Sequence, residues 1–431
     1  MLEAVLLIAI GVLTAVMANL GIAVFNDGIR PIVPENLEGR MSRKELGVTA
    51  FAMSFGLVIG FGIPISISGS ILLIHSILLG TDIIGLAFKR GKFSTVIAGA
   101  LGGLYGAGIY FGLQAVVNAF KMLPLNFIDG FNKIGEPVVV SFMVFPAIAI
   151  ALQFTLKKGI LAFVVAALAR QLIVFVNTEK LLSINGSPLV LSPEGIALIV
   201  GMVFLIAFAM REKSEEQNLS TLATLFTDRV LKIKKYAWVL MISGALIAAA
   251  THLLLIAGDP ISLSLLAKGK VAEGGFAALA KAIGFVPLIA STAIATGVYG
   301  PVGFTFVFAA GLFSPNIVVA IIAGAIIIFL EIQLLTQLAK LLDRYPGIRA
   351  SGENIRTAMT RVLEVALLVG GANAANAIVP GLGFFGIAGF YLLNEAAGRP
   401  IVRMAVGPIG AIAVGILGNI LVLLGLYTPP Q

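Results

Sequence analysis

The stretch GFGIPISISGSILLIHSILLGTDIIG (residues 60–85) decides the fold of this chain, and GFVPLIASTAIATGVYGPVGFTFVFAAG (284–311) repeats its character. Both are apolar enough for hydrocarbon, and both are interrupted by Gly, Pro, Ser and Thr. Backbone that leaves a helix inside a bilayer survives only where protein or a water-filled cavity satisfies its polar groups. The two stretches therefore predict re-entrant helical hairpins over 46–88 and 284–313, entering from opposite faces and meeting at mid-membrane. Free N–H groups at hairpin tips carry partial positive charge, and can hold a polar or anionic solute where lipid cannot.

Composition supports a membrane setting. The 431 residues are 59% hydrophobic and 12% charged, with a mean hydropathy of +1.06. A soluble core cannot absorb that apolar excess. Apolar runs of about 17–25 residues suffice to cross about 30 Å of hydrocarbon. Fourteen such segments, several short or broken, fall at 2–25, 46–65, 69–88, 93–117, 136–156, 159–176, 193–210, 237–257, 284–299, 301–313, 317–339, 362–379, 381–397 and 404–427. The start, Met1-Leu2-Glu3-Ala4, lacks a basic n-region and reads as a retained span. With no cysteine and two separate histidines, His75 and His252, thiol chemistry and a metal site have no ligand pattern. No Walker A motif is present, so no ATP hydrolysis and no cofactor is expected.

Lysine and arginine set the orientation. With the N-terminus outside, 22 of the 29 basic residues fall in inside loops, and Lys121, Lys133, Lys180, Lys268, Lys270 and Lys281 fall outside. The net charge of +8 thus belongs to cytoplasmic loops and not to a nucleic-acid surface. Both termini are expected in the periplasm. The polar stretch 211–236, with an amphipathic helix over Leu219–Ile233, divides the chain into a first half (1–210) and a second (237–431), seven segments each. An odd number of crossings inverts the second half. Gly60-Phe61 recurs as Gly284-Phe285, 224 residues on, and the helices at 93 and 317 share that offset. The fold expected is an all-α polytopic membrane protein of about 12–14 segments. Its halves form a 7+7 inverted-topology repeat, elevator-like, with two re-entrant hairpins.

Polar groups at membrane depth mark candidate function. Ser66, Ser68 and Ser70 alternate and share a direction if extended there. Thr292 and Thr296 share a helix face, and Asn316 caps a helix. These six are the expected substrate ligands. Asp82 either binds a coupling cation or substrate hydroxyl, or pairs with Arg170. Glu331, Asn373 and Asn376 lie in apolar helices, as coupling groups or interhelical glue. Glu136 and Glu364 begin their helices, where the dipole stabilises a carboxylate. Asn26, Asp27 and Arg30 end the first span, and Asn394, Glu395 and Arg399 end the thirteenth; each set reads as local ion pairing or as a cytoplasmic gate.

Seven stretches carry a family resemblance: FNDGIRPIVPENLEG (25–39), TDIIG (81–85), the segment 284–311, FSPN (313–316), RYPGIRASGENIRTAM (344–359), EVALLVG (364–370) and LNEAAGRPIVRMA (393–405). They resemble the YhfT family of bacterial inner-membrane transport proteins over nearly the whole chain. The resemblance implies a transport role without a substrate. The expectation is a carrier for a small polar, anionic metabolite in the bacterial inner membrane, working by alternating access as a homo-oligomer, with a dimer favoured. Coupling to H+ or Na+ would fall to Asp82 or Glu331. The alternative is a phosphotransferase-type membrane subunit, like those for ascorbate or galactitol, needing a cytosolic phosphocarrier. A channel lacks a recognisable filter, and an intramembrane enzyme lacks paired aspartates or a Ser-His pair.

Overall fold

The computed structural model describes residues 2–184, 187–188, 191–212 and 228–428. Most of the linker and of the amphipathic helix expected over Leu219–Ile233 lies outside the described residues. The chain is an all-α polytopic membrane protein. Among the described residues nine helices are long and apolar enough to cross a membrane, or up to 11 if each of two bent pairs is one span. Helices on the rim, such as those at 92–121, 156–178 and 317–339, leave most of their surface exposed and present Leu104, Leu168 and Val318 outward, as a lipid-facing belt must.

The first half opens with α1 (Leu2–Leu20) and a short α2 (Ile32–Leu37). A capping box of Ser42 and Glu45 starts α3 (Arg43–Leu57). A π turn at Val58–Gly62 leads to α4 (Ile63–Gly69), strand β1 (Leu72–Leu73) and α5 (Ile74–Ala87). Then come α6 (Lys92–Lys121), α7 (Phe127–Phe142), α8 (Phe145–Gln153), α9 (Leu156–Thr178), a small hairpin of β2 (Ser183–Ile184) and β3 (Ser187–Pro188), and α10 (Pro193–Met210). The second half has α11 (Asp228–Lys235), α12 (Ala237–His252), β4 (Ile256–Ala257), α13 (Pro260–Ala267) and α14 (Val271–Thr296). It closes with α15 (Phe306–Phe313), α16 (Ile317–Arg344), α17 (Pro346–Ile378), α18 (Gly383–Ala396) and α19 (Arg403–Leu423).

Residues 43–87 leave and return to one end: Gly47 lies against Ala87, and the Arg43 guanidinium donates to the Phe88 carbonyl at 2.8 Å. Residues 271–313 do the same at the other end, where Gly275 meets the Phe313 ring. Each reversal crosses the chain of the other half, so the tip N–H groups of Leu72, Leu73, Val298 and Tyr299 are hydrogen-bonded and are not the free donors expected of two tips meeting at mid-membrane. The Leu72 N–H donates to the Leu255 carbonyl at 3.0 Å as β1 pairs in parallel with β4, and the Tyr299 N–H donates to the Ile22 carbonyl at 3.1 Å. Around these crossings α1 packs on α5 and α6, and α12 packs on α15 and α16. Helix α14 runs through the centre, and 78% of its span is buried.

Each of the fourteen apolar segments falls on a described helix, but several bounds shift. The segment placed at 284–299 belongs to α14, which begins thirteen residues earlier at Val271. Its first turns carry Glu273, Lys281 and many small residues, because they pack against α10 and α13 and not lipid. Lys281, assigned by sequence to an outside loop, is therefore a buried helical residue, 5% exposed. Glu136 and Glu364 do not begin helices either; they sit inside α7 and α17, which start at Phe127 and Pro346.

Candidate functional site

The two crossings enclose a cavity of about 850 Å³. Its floor and walls come from the loop after α1 (Phe25 to Arg30), from Phe61, His75 and Leu79 of the first reversal, and from Lys281, Phe285, Ile289 and Thr305 of the second. Toward the end where α18 meets α19 it is lined by Arg356, Arg361, Arg399 and Arg403. Six cationic side chains line it, counting Arg30 and Lys281, against the three acids Asp27, Asp259 and Glu364. A low-dielectric cleft with that imbalance concentrates anions.

The loop after α1 is the part whose sequence reading needs most correction. Asn-Asp-Gly-Ile-Arg-Pro reads as a helix terminus in solvent. The chain instead turns back beside α5, so that Val24 donates its N–H to Tyr299 O at 2.9 Å. Asp82 fixes the turn: its carboxylate accepts from the N–H groups of Phe25 (3.1 Å) and Asn26 (2.8 Å). It does not pair with Arg170, which binds Glu194 at 2.7 Å. Arg30, 1% exposed, donates to the Val24 and Phe25 carbonyls and to Thr292, and pairs with Asp27 at 2.6 Å. Asn26, Asp27 and Arg30 thus line the cavity, with the local ion pairing expected of Asp27 and Arg30 in place. Asn26 also donates to Ser54 at 2.9 Å.

Glu331 does for the second crossing what Asp82 does for the first. It accepts from the Phe304 N–H at 2.8 Å and the Tyr299 hydroxyl at 3.0 Å. Neither carboxylate lines the cavity. In apolar surroundings their oxygens offset the desolvation of backbone donors that no helix satisfies.

None of the six expected substrate ligands lines the cavity, although Thr292 touches Arg30, which does. Ser66, Ser68 and Ser70 are not extended. Ser66 accepts from the Leu73 N–H at 2.8 Å and shares a 2.8 Å hydrogen bond with Ser76. Ser68 donates back to Ile65 O, and Ser70 takes the left-handed conformation that ends α4. Thr292 accepts from Arg30, Thr296 closes the end of α14 onto Val298, and Asn316 accepts from the Val319 N–H at the start of α16. Asn373 and Asn376 are half-buried on α17, the latter bonded to the Gly381 N–H at 3.2 Å. Of the distal set, Asn394 holds Ile401, and Glu395 pairs with Arg399 (2.9 Å) and Arg403 (3.0 Å). Of Asn394, Glu395 and Arg399 only Arg399 lines the cavity, where Arg403 joins it.

Sequence reasoning missed Lys281, Thr305, Asp259 and the α17 arginines as cavity residues. One signal was available: Lys281 stands alone in GGFAALAKAIGFVPLIA. Among the described residues no three His, Asp or Glu side chains group as a metal would require.

Residues 3–427 match the YhfT family, described as proteins of unknown function. The chain is 36% identical over 433 residues to the protein of Escherichia coli (strain K12) called uncharacterized protein YhfT, covering 97% of this chain and 96% of that one. No solved structure matches it. The family match over residues 3–427 and the 36% identity over nearly both whole chains lead to one conclusion: the chain belongs to the YhfT family.

Proposed function

We propose that this chain carries a small polar, anionic metabolite across the bacterial inner membrane by alternating access. One observation carries the reading: a cavity of about 850 Å³ lies inside a bundle of membrane helices, between two chain reversals that start from opposite ends. A solute-sized, charged cavity has little structural purpose there, because ionisable groups in hydrocarbon are costly.

The halves are read as an inverted repeat. In this reading α1, α3–α4, α5 and α6 correspond to α12, α14, α15 and α16, and the remaining helices of each half to one another. Three paired observations support it. Leu72 meets Leu255 as Tyr299 meets Ile22. Gly11 meets Gly102 as Gly244 meets Gly324. Ser70 and Gly297 both end their helices with left-handed backbone. The end bearing Arg399 and Arg403 faces the cytoplasm on the positive-inside rule, and both termini face the periplasm. The cavity is then inward-facing, and movement of the two hairpins against the rest would turn it outward.

The test is uptake. Solutes that raise the melting temperature of the purified protein are offered to proteoliposomes containing this chain alone. Saturable uptake is expected. Binding without uptake would overturn the reading, uptake only with a cytosolic phosphocarrier would favour a phosphotransferase subunit, and unitary currents would make it a channel.

A further inference from the structure

Among the described residues one buried cation of the cavity, Lys281, makes no salt bridge. Lys281 lies ten residues into α14, about 15 Å from its start at 1.5 Å per residue. Its ammonium donates to the Gly258 carbonyl at 3.1 Å and stands 5.2 and 5.5 Å from the rings of Phe285 and Phe308. Two acids, Asp259 and Asp27, act on it only at longer range. Both are committed elsewhere: Asp259 accepts from the N–H (2.8 Å) and hydroxyl (2.7 Å) of Ser262, and Asp27 holds Arg30. An ammonium buried at 5% exposure, with acids acting on it only at longer range, has lost more hydration than its neighbours return.

Three cavity residues carry a buried polar atom without a hydrogen bond: Asp27, whose Oδ1 is ion-paired with Arg30, and two with no partner at all. The Thr305 hydroxyl, on a residue 3% exposed, has no hydrogen-bond partner, and neither has Nδ1 of His75, whose ring is edge-on to Phe25 and Phe61. Thr305 also holds φ at 76°, a conformation that β-branched residues rarely adopt. Strain, an unused hydroxyl and an ammonium without a salt bridge in one cavity mark a place kept for something that binds.

We propose that Lys281, Thr305 and His75 form the inner end of the binding site, and that they take the carboxylate of a small organic acid whose apolar body lies against Phe61 and Phe285. One ammonium, one hydroxyl and one ring nitrogen match a group with one negative charge and two oxygens. A phosphate dianion calls for more cations than this inner end offers. The arginines nearer the mouth draw the anion in, and Lys281 holds it. The assignment deepens the transport reading and rests on it for its purpose.

The experiment uses the full chain in detergent. Sodium acetate, hexanoate, benzoate, succinate and glutamate are each compared with the matching amide, and with inorganic phosphate and sulfate, by thermal shift and direct binding. At least one carboxylate should raise the melting temperature where its amide, phosphate and sulfate do not. Lys281→Met should keep or raise the melting temperature of the unliganded protein and weaken that carboxylate about tenfold or more. Thr305→Val should weaken it by a smaller factor. The proposal is overturned if no carboxylate binds, if phosphate or an amide binds as well, or if Lys281→Met binds like the wild type. Should Lys281→Met not fold, Lys281→Arg decides: altered carboxylate affinity supports the site, and wild-type affinity overturns it. Proteoliposome uptake separates the two readings. Lys281-dependent binding without uptake removes transport and leaves the site; uptake of a solute indifferent to Lys281→Met removes the site and leaves transport.

Discussion

In the reversal over residues 43–87 the ascending helix is widened by a π turn at Val58–Gly62 and ends at left-handed Ser70; in the reversal over 271–313 the same length of helix contains Pro287 and ends at left-handed Gly297. Beside the first, Ser54 accepts a neutral hydrogen bond from Asn26; at the comparable place beside the second, Lys281 donates to Gly258. The backbone crossings are alike; at these two positions the side chains are not, for Lys281 lines the cavity and Ser54 does not. Crossing geometry is set by the demand that unwound backbone in a membrane be hydrogen-bonded, and both reversals must meet it. Nothing forces the cavity-facing side chains to match, and five of the six lining cations come from the second half.

The likeness can be broken at its strongest point. Asp82→Leu and Glu331→Leu each strip the acceptor from buried donors and should destabilise by about 3–5 kcal/mol. Asp82→Asn and Glu331→Gln keep one acceptor oxygen and should cost about 1 kcal/mol. Thermal melts in detergent measure all four. A large loss for only one of the two carboxylates would end the parallel between the reversals.

Helix contacts give the next test. The backbones of Gly11 and Gly102 touch, as do those of Gly244 and Gly324, leaving no room for a side chain in either pair. Gly102→Leu and Gly324→Leu should each cost about 1–3 kcal/mol by overpacking. Equal losses sharpen the comparison; a silent Gly324→Leu would count against it.

The smallest effects separate the serines. Ser66→Ala leaves the Leu73 N–H without its acceptor and should cost about 1 kcal/mol. Ser68→Ala loses a single bond to its own helix and should stay within about 0.5 kcal/mol. Neither should alter solute binding, since neither lines the cavity.

These results show where the sequence was legible. Hydropathy found the long apolar helices, because lipid-facing surface must be apolar, but not the short α2 and α13; Gly, Pro and Ser marked both reversals, because they mark backbone leaving a helix. The cavity was harder. Spacing says which residues share a face, but not what that face meets. Ser66 and Thr296 looked like ligands and are caps on the reversals. Asn26, Asp27 and Arg30 looked like a terminus because nothing local reveals that Asp82 pulls the chain back inward. Lys281 fell into a loop because the small, mixed turns that open α14 resemble a connection when read without the neighbours that bury them.

Absence of cysteine makes one measurement clean. A single Met53→Cys on the cavity wall, in membrane vesicles of known orientation, can be offered a membrane-impermeant thiol reagent from either side. Labelling should be fast from the cytoplasmic side and slower from the periplasmic side, and the ratio should shift with any transported solute. Labelling from one side only, unchanged by every solute that binds, would contradict alternating access through this cavity.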